Sequence, residues 1–184
     1  RLISTASAGS QSGASSLNTM HKAICTALLT AAMLIALPAG AAGDIKVRTL
    51  DGQKAMLSEY FEPGKWTLVM IWTTYCGVCA QQYPAISAFH NERHDEDLKV
   101  IGISVDGYRY ADQVRAYIAK RPASFDSVIG EIAEIVPGFN ETTGEEFKGT
   151  PTYLLFDPLG RISAQKVGPI KTEEIDRFIH DNPS

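Results

Sequence analysis

The sequence predicts an α/β domain with a central mixed β-sheet flanked by helices and a β-hairpin at its N-terminal side. Three observations carry this expectation. The runs Trp66–Trp72 (WTLVMIW) and Leu98–Val105 (LKVIGISV) are apolar almost throughout, as strands buried on both faces are. Each is followed by a stretch with apolar residues at helical spacing, and the order β-α-β-α implies parallel strands joined by crossover helices. Turn residues at Asp51-Gly52 and at Asp157 to Gly160 bracket this unit with hairpins, whose strands are antiparallel.

The first 41 residues are expected to stand outside that domain. Arg1 to Thr19 is rich in Ser, Ala, Gly and Thr and nearly uncharged, and reads as a disordered leader or an expression remnant. Residues 20–41 have the order of a secretory signal: Met20-His21-Lys22, an apolar run from Ala23 to Leu37, and a small-residue cleavage site at Ala39-Gly40-Ala41. A retained anchor is the weaker reading, because a membrane span needs about 20 apolar residues and this run is shorter. Cys25 lies near the start of the run rather than at its end, where an acylated cysteine would sit. The chain is therefore expected to be exported or periplasmic, with residues 44–184 as its single domain.

Within that domain, DIKVRTLDGQKAML (Asp44 to Leu57) alternates around Asp51-Gly52 and predicts the first hairpin. Val78, Tyr83, Ile86 and Phe89 predict a helix from Cys76 to about His94, kinked but not ended by Pro84. A second helix is expected at Ala111 to Lys120, a short apolar stretch at Phe125 to Ile129, and a short helix near Glu131 to Val136. A polar loop from Pro137 to Gly149 should follow, then the hairpin TYLLFDPLGRISAQKV, then a closing helix at Lys171 to His180. There is no internal repeat and no glycine-rich phosphate loop.

Charge narrows the partners. Cleavage after Ala41 removes two positive charges and no negative one, taking the net charge from -4 to -6. With no basic stripe either, nucleic acid is not an expected partner.

Export leaves Cys76 and Cys79 as the cysteines of the mature chain, in a compartment that permits disulfides. A zinc site from Cys76, Cys79, His90 and His94 fails on geometry. Cys79 and His90 fall on one helix about 16 Å apart along its axis, and zinc bonds are only about 2.0–2.3 Å long. No metal or cofactor is expected. A structural disulfide would close so short a loop that it constrains the unfolded chain little.

A redox couple accounts better for a pair at a strand-to-helix junction. The unpaired N–H groups and dipole at a helix N-terminus stabilise a thiolate, which makes Cys76 the candidate nucleophile. Cys79, one turn inside, is the candidate resolving cysteine. Gly77 leaves room for a partner's chain.

With strand, C-G-V-C and helix in this order, the chain resembles the thioredoxin superfamily. Pro84, five residues after Cys79, matches the family's helix-kinking proline, and Gly149-Thr150-Pro151-Thr152 is similar to its cis-proline element. The leader, the N-terminal hairpin and the segment before Thr150 are similar to the exported TlpA/ResA branch, over nearly all of Asp44 to Ser184. The resemblance implies a thioredoxin-like fold with Pro151 cis and facing the cysteine pair. It also implies a substrate surface of Tyr75, Gly77, Val78, Thr150 and Pro151, where the Thr150 backbone pairs with an extended partner segment. Two positions depart from the pattern: Tyr75 replaces the usual Trp, and Gln82 replaces a common Glu whose carboxylate could move protons or shift a thiol pKa. Asp106 is a turn or cap residue that could stand in for that carboxylate.

The expected function is thiol-disulfide exchange with protein disulfides or dithiols of the cell envelope, as a reductant served by an upstream thiol reductant or oxidant. Two alternatives remain open at this point. Thr73-Thr74-Tyr75-Cys76 matches the T-x-x-C core of peroxiredoxin peroxidases, although Val69 stands where those enzymes carry Pro. The chain could also be a non-catalytic binding module with a static bridge. The loop Pro137 to Gly149 borders the expected cis-proline and could select partners. The sequon at Asn140 matters only on a eukaryotic secretory path.

Overall fold

The computed structural model describes residues 44–121 and 123–183. The expected leader and signal lie outside those residues. Among the described residues no helix is long and apolar enough to cross a membrane.

The order of elements is β1 (Lys46–Arg48), β2 (Lys54–Met56), β3 (Trp66–Trp72), α1 (Gly77–Arg93), β4 (Leu98–Ser104), α2 (Ala111–Lys120), β5 (Asp126–Ile129), α3 (Ile132–Thr143), β6 (Thr152–Phe156), β7 (Ile162–Val167) and α4 (Thr172–Asp181). Seven strands form one mixed sheet in the order β2-β1-β5-β4-β3-β6-β7. β3, β4 and β5 are parallel, whereas β6 lies antiparallel to β3 and β7 antiparallel to β6. The N-terminal hairpin joins the far side through an antiparallel pairing of Arg48 with Ile129. This is a thioredoxin-like fold extended by a hairpin.

β3 is buried at every position, and its side chains alternate between two cores as the pleat requires. Trp66, Leu68, Met70 and Trp72 pack with Tyr83, Ile86 and Phe89 of α1, Val114 of α2, and Ile175 and Ile179 of α4. Val69 and Ile71 face Ile45, Leu57, and Ile135 and Phe139 of α3. Edge-on packing of Trp72 against Tyr83, with ring centroids 5.1 Å apart, fixes the start of α1 to the end of β3.

Three expectations change. Asp51-Gly52 is not a two-residue turn but part of a five-residue loop closed by the Thr49 N–H to Gln53 O bond (2.9 Å). The helix expected to stop at Val136 continues through Pro137 to Thr143, so the loop assigned to Pro137–Gly149 begins only at Gly144. Packing decides this against propensity. Ile135 and Phe139 are buried, and Gly138 lies so close to the N-terminal segment that a Cβ would come within 3.1 Å of the Asp44 carbonyl and Ile45 Cα. The hydroxyls of Thr142 and Thr143 donate to the carbonyls of Gly138 and Phe139, and Gly144 ends the helix in the left-handed conformation.

The third change concerns His90, whose place in the last turns of the expected helix would suit a solvated side chain. It is buried, and its Nδ1 accepts the Val100 N–H of β4 at 3.3 Å. His94 stacks beside it, with centroids 5.0 Å apart. Burial first, and the neighbouring His94 second, push the His90 pKa below its ordinary value. The neutral ring then belongs to the folded state, and unfolding lets it take up a proton. Its stabilising contribution is complete above about pH 6.5 and is lost as the pH falls toward the depressed folded value. Urea unfolding of His90→Gln should show a flatter stability profile than the parent between about pH 6.5 and pH 5; equal slopes would remove this role.

Candidate active site

Register brings the site together. β3 ends at Trp72, and its neighbour β6 begins at Thr152 immediately after Pro151, with Ile71 paired to Thr152. The loop that delivers Cys76 and the Thr150-Pro151 segment therefore leave the same edge of the sheet. The Thr150–Pro151 peptide is cis, as expected, and Pro151 is buried while Thr150 is half-buried.

Cys76 is the N-cap of α1, with extended backbone angles, and its Sγ accepts the Cys79 N–H at 3.0 Å. Sulfur occupies the place of an ordinary capping oxygen, at the positive end of the helix. Cys76 and Cys79 are joined as a disulfide with Cα atoms 5.2 Å apart. The two differ in access: Cys79 is fully buried, whereas Cys76 is half-buried.

Three of the expected contact residues, all within two positions of a cysteine, are open to solvent. Tyr75 is 79% exposed and Val78 is 41% exposed, and Gly77 is exposed with open space where a Cβ would project. Val78, whose helical spacing predicts an inward position, is instead open to solvent, while its neighbour Cys79 is the buried residue of that turn. The Tyr75 hydroxyl accepts a hydrogen bond from Gln113 Nε2 of α2 at 2.9 Å.

Asp106, at the end of β4, holds the delivering loop. Its carboxylate accepts from Thr73 Oγ1 (2.7 Å), Thr74 Oγ1 (2.8 Å), the Thr74 N–H (3.0 Å) and Ser104 Oγ (2.6 Å). Burial works to raise its pKa, but the hydrogen bonds from Ser104, Thr73 and Thr74 outweigh it and hold the carboxyl below the usual range. Asp106 is thus a loop anchor with its acceptor capacity already engaged. Neither this role nor the Gln113 contact left a signal in the sequence, because each joins residues more than 30 positions apart.

Gln82 occupies the position of the departed carboxylate. Its Oε1 accepts the Ile170 N–H at 2.8 Å and the Tyr153 hydroxyl at 3.2 Å. Tyr153 is buried, and that burial raises its pKa, so its hydroxyl stays protonated and available to donate. His90 and His94 take no part in the site, and among the described residues no cluster of three or more His, Cys, Asp or Glu side chains could hold a metal ion.

Asp106→Ala leaves three side-chain donors and a backbone N–H without their acceptor. Chemical denaturation of the oxidised protein at neutral pH should show a loss of about 2–3 kcal/mol, and Asp106→Asn, which keeps one acceptor oxygen, should lose less; a loss below about 0.5 kcal/mol in Asp106→Ala would contradict the anchoring role.

The fold recurs in known proteins. The chain is 20% identical over 136 residues to sporulation thiol-disulfide oxidoreductase A of Bacillus subtilis (strain 168), covering 73% of this chain and 77% of that one. It is 27% identical over 137 residues to the thioredoxin-like protein YneN of the same organism, covering 74% and 75%. The crystal structure of a thiol:disulfide interchange protein of the thioredoxin family from Chlorobium tepidum TLS superposes with a TM-score of 0.62 at 21% identity, over 76% of this chain and 93% of that one. The AhpC/TSA family profile matches residues 38–165, from before the first strand into β7; with most of the domain inside that match, the chain belongs to the AhpC/TSA family.

Proposed function

We propose that the protein is an exported thiol-disulfide oxidoreductase that reduces disulfides of protein partners in the cell envelope. The observation that carries this reading is the placement of the pair: Cys76 half-buried at the N-cap with its sulfur on the Cys79 N–H, and Cys79 enclosed one turn behind it. Relatives bearing the name thiol-disulfide oxidoreductase or thioredoxin-like protein support it.

In the reduced protein the Cys76 thiolate attacks one sulfur of a partner disulfide. The partner's S–S bond breaks, its leaving sulfur takes a proton, and a mixed disulfide joins Cys76 to the partner. Cys79 then gives up its proton, and its sulfur attacks Cys76 Sγ. The Cys76–Cys79 bond forms, and the second partner sulfur leaves and is protonated. Two electrons and two protons have passed to the partner, and an upstream thiol reductant restores the dithiol. The cysteine N–H contact and the helix dipole favour Cys76 as the thiolate, while burial keeps Cys79 from other disulfides. Tyr75 and Val78 supply apolar contact, and the Thr150-Pro151 segment offers backbone to an extended stretch of the partner.

A peroxidase reading has less support. The Thr73 hydroxyl donates to Asp106, which commits it to the loop anchor. Val69 sits in the middle of β3, paired with Ile101 on one side and Leu154 on the other, where Pro would remove a ladder hydrogen bond.

Cys79→Ser should stall exchange at the first step. Expressed in the native host, it should accumulate protein-sized adducts at Cys76 that dithiothreitol releases, and Cys76→Ser/Cys79→Ser should trap none. Absence of adducts, or a pair that stays oxidised against potentials near about -300 mV, would mark a static bridge; fast stoichiometric consumption of hydrogen peroxide by the reduced protein would favour the peroxidase.

A further inference from the structure

We propose that Gln82 is a positioning residue that sets the cis-proline segment against the dithiol helix and so governs how tightly a partner docks beside Cys76. The inference rests on the function proposed above.

Gln82 follows Cys79 by three residues, one turn further along α1. From there its single amide oxygen accepts from two separate elements: the Tyr153 hydroxyl on β6, two residues beyond Pro151, and the Ile170 N–H between β7 and α4. The Ile170 segment itself returns to the proline, because the Gly168 N–H donates to the Pro151 carbonyl at 2.8 Å and Val167 pairs with Thr152. The contacts close a ring: helix, Gln82, Ile170, Gly168, Pro151, Tyr153 and back to Gln82. The cysteines lie on the first turn of that helix and the proline on the opposite arm. The side chain bridges sequence separations of 71 and 88 residues, so it joins parts of the chain that local structure does not hold together.

The chemistry of an amide suits the place. Its carbonyl oxygen has two lone pairs and serves both donors. It carries no charge at any pH, so the clamp does not titrate beside the buried Tyr153 and Cys79. A hydrocarbon of the same size would leave a backbone N–H and a phenol without their acceptor and free the Ile170 segment that backs Pro151. A loosened arm weakens docking of an extended chain, which uses both the proline segment and the cysteine helix. It leaves the sulfur chemistry itself alone, because a small disulfide reaches Cys76 without the proline segment.

The test compares two substrates on the full chain. The reduced protein is assayed with insulin, a protein disulfide, and with 5,5'-dithiobis(2-nitrobenzoate), a small one. Gln82→Leu should raise KM for insulin by about fivefold or more while kcat and the rate with the small disulfide stay within about twofold. Gln82→Glu, which keeps acceptor oxygens, should bring KM back to within about twofold of the parent. Tyr153→Phe removes one of the two donors and should give a KM between those of the parent and Gln82→Leu. Equal factors on both substrates, no change on either, or a Gln82→Glu that matches Gln82→Leu would overturn the proposal. Should Gln82→Leu fail to fold, Tyr153→Phe decides: a KM increase of about two- to threefold confined to insulin supports positioning, and an unchanged KM refutes it. A parent protein that reduces neither substrate overturns the function itself, and this inference with it.

Discussion

Everything in the site depends on β3 being satisfied on all four sides. Its edges are taken by β4 and β6 and its faces by two separate cores. A strand held in that way cannot slip, since a shift of one residue would exchange its two faces. Its end is therefore a fixed point, and the three residues Thr73, Thr74 and Tyr75 carry that fixed position from Trp72 to Cys76. Asp106, just past the end of β4, holds the carrying loop, and β6 begins directly after the proline segment.

Much of this was legible in the sequence for a physical reason. WTLVMIW and LKVIGISV show no polar face, and that pattern excludes edge strands. The capping position of Cys76 follows from the same junction, because a buried strand that ends before a helical period leaves its last residues at the helix start. The cysteine roles could be argued from that placement alone.

The rest was hidden because it depends on contacts across long separations. The helix through Pro137 runs against local propensity and is held by Ile135, Phe139 and the close approach at Gly138. His90 carries no mark of the backbone N–H it receives from β4. Gln82 looked like the loss of a carboxylate, whereas the structure gives it two donors and a bridging place. Asp106 looked like a possible proton carrier and proves to be fully engaged as an acceptor. In each case a polar residue whose type allows many roles was assigned one by partners that no short window contains.

The close approach at Gly138 has a consequence for how the domain is held together. The N-terminal hairpin meets the sheet through one residue pair, Arg48 with Ile129, and meets α3 where the helix lacks a side chain. The redox end of the sheet is built from β3, α1 and β6, and β3 and β6 also pack against this N-terminal segment, since Val69, Ile71, Leu154 and Phe156 share a core with Ile45, Val47 and Leu57. The hairpin is thus held by a buried core as well as by one strand pair, and the missing Cβ at Gly138 is what lets α3 close over the segment that leads into it.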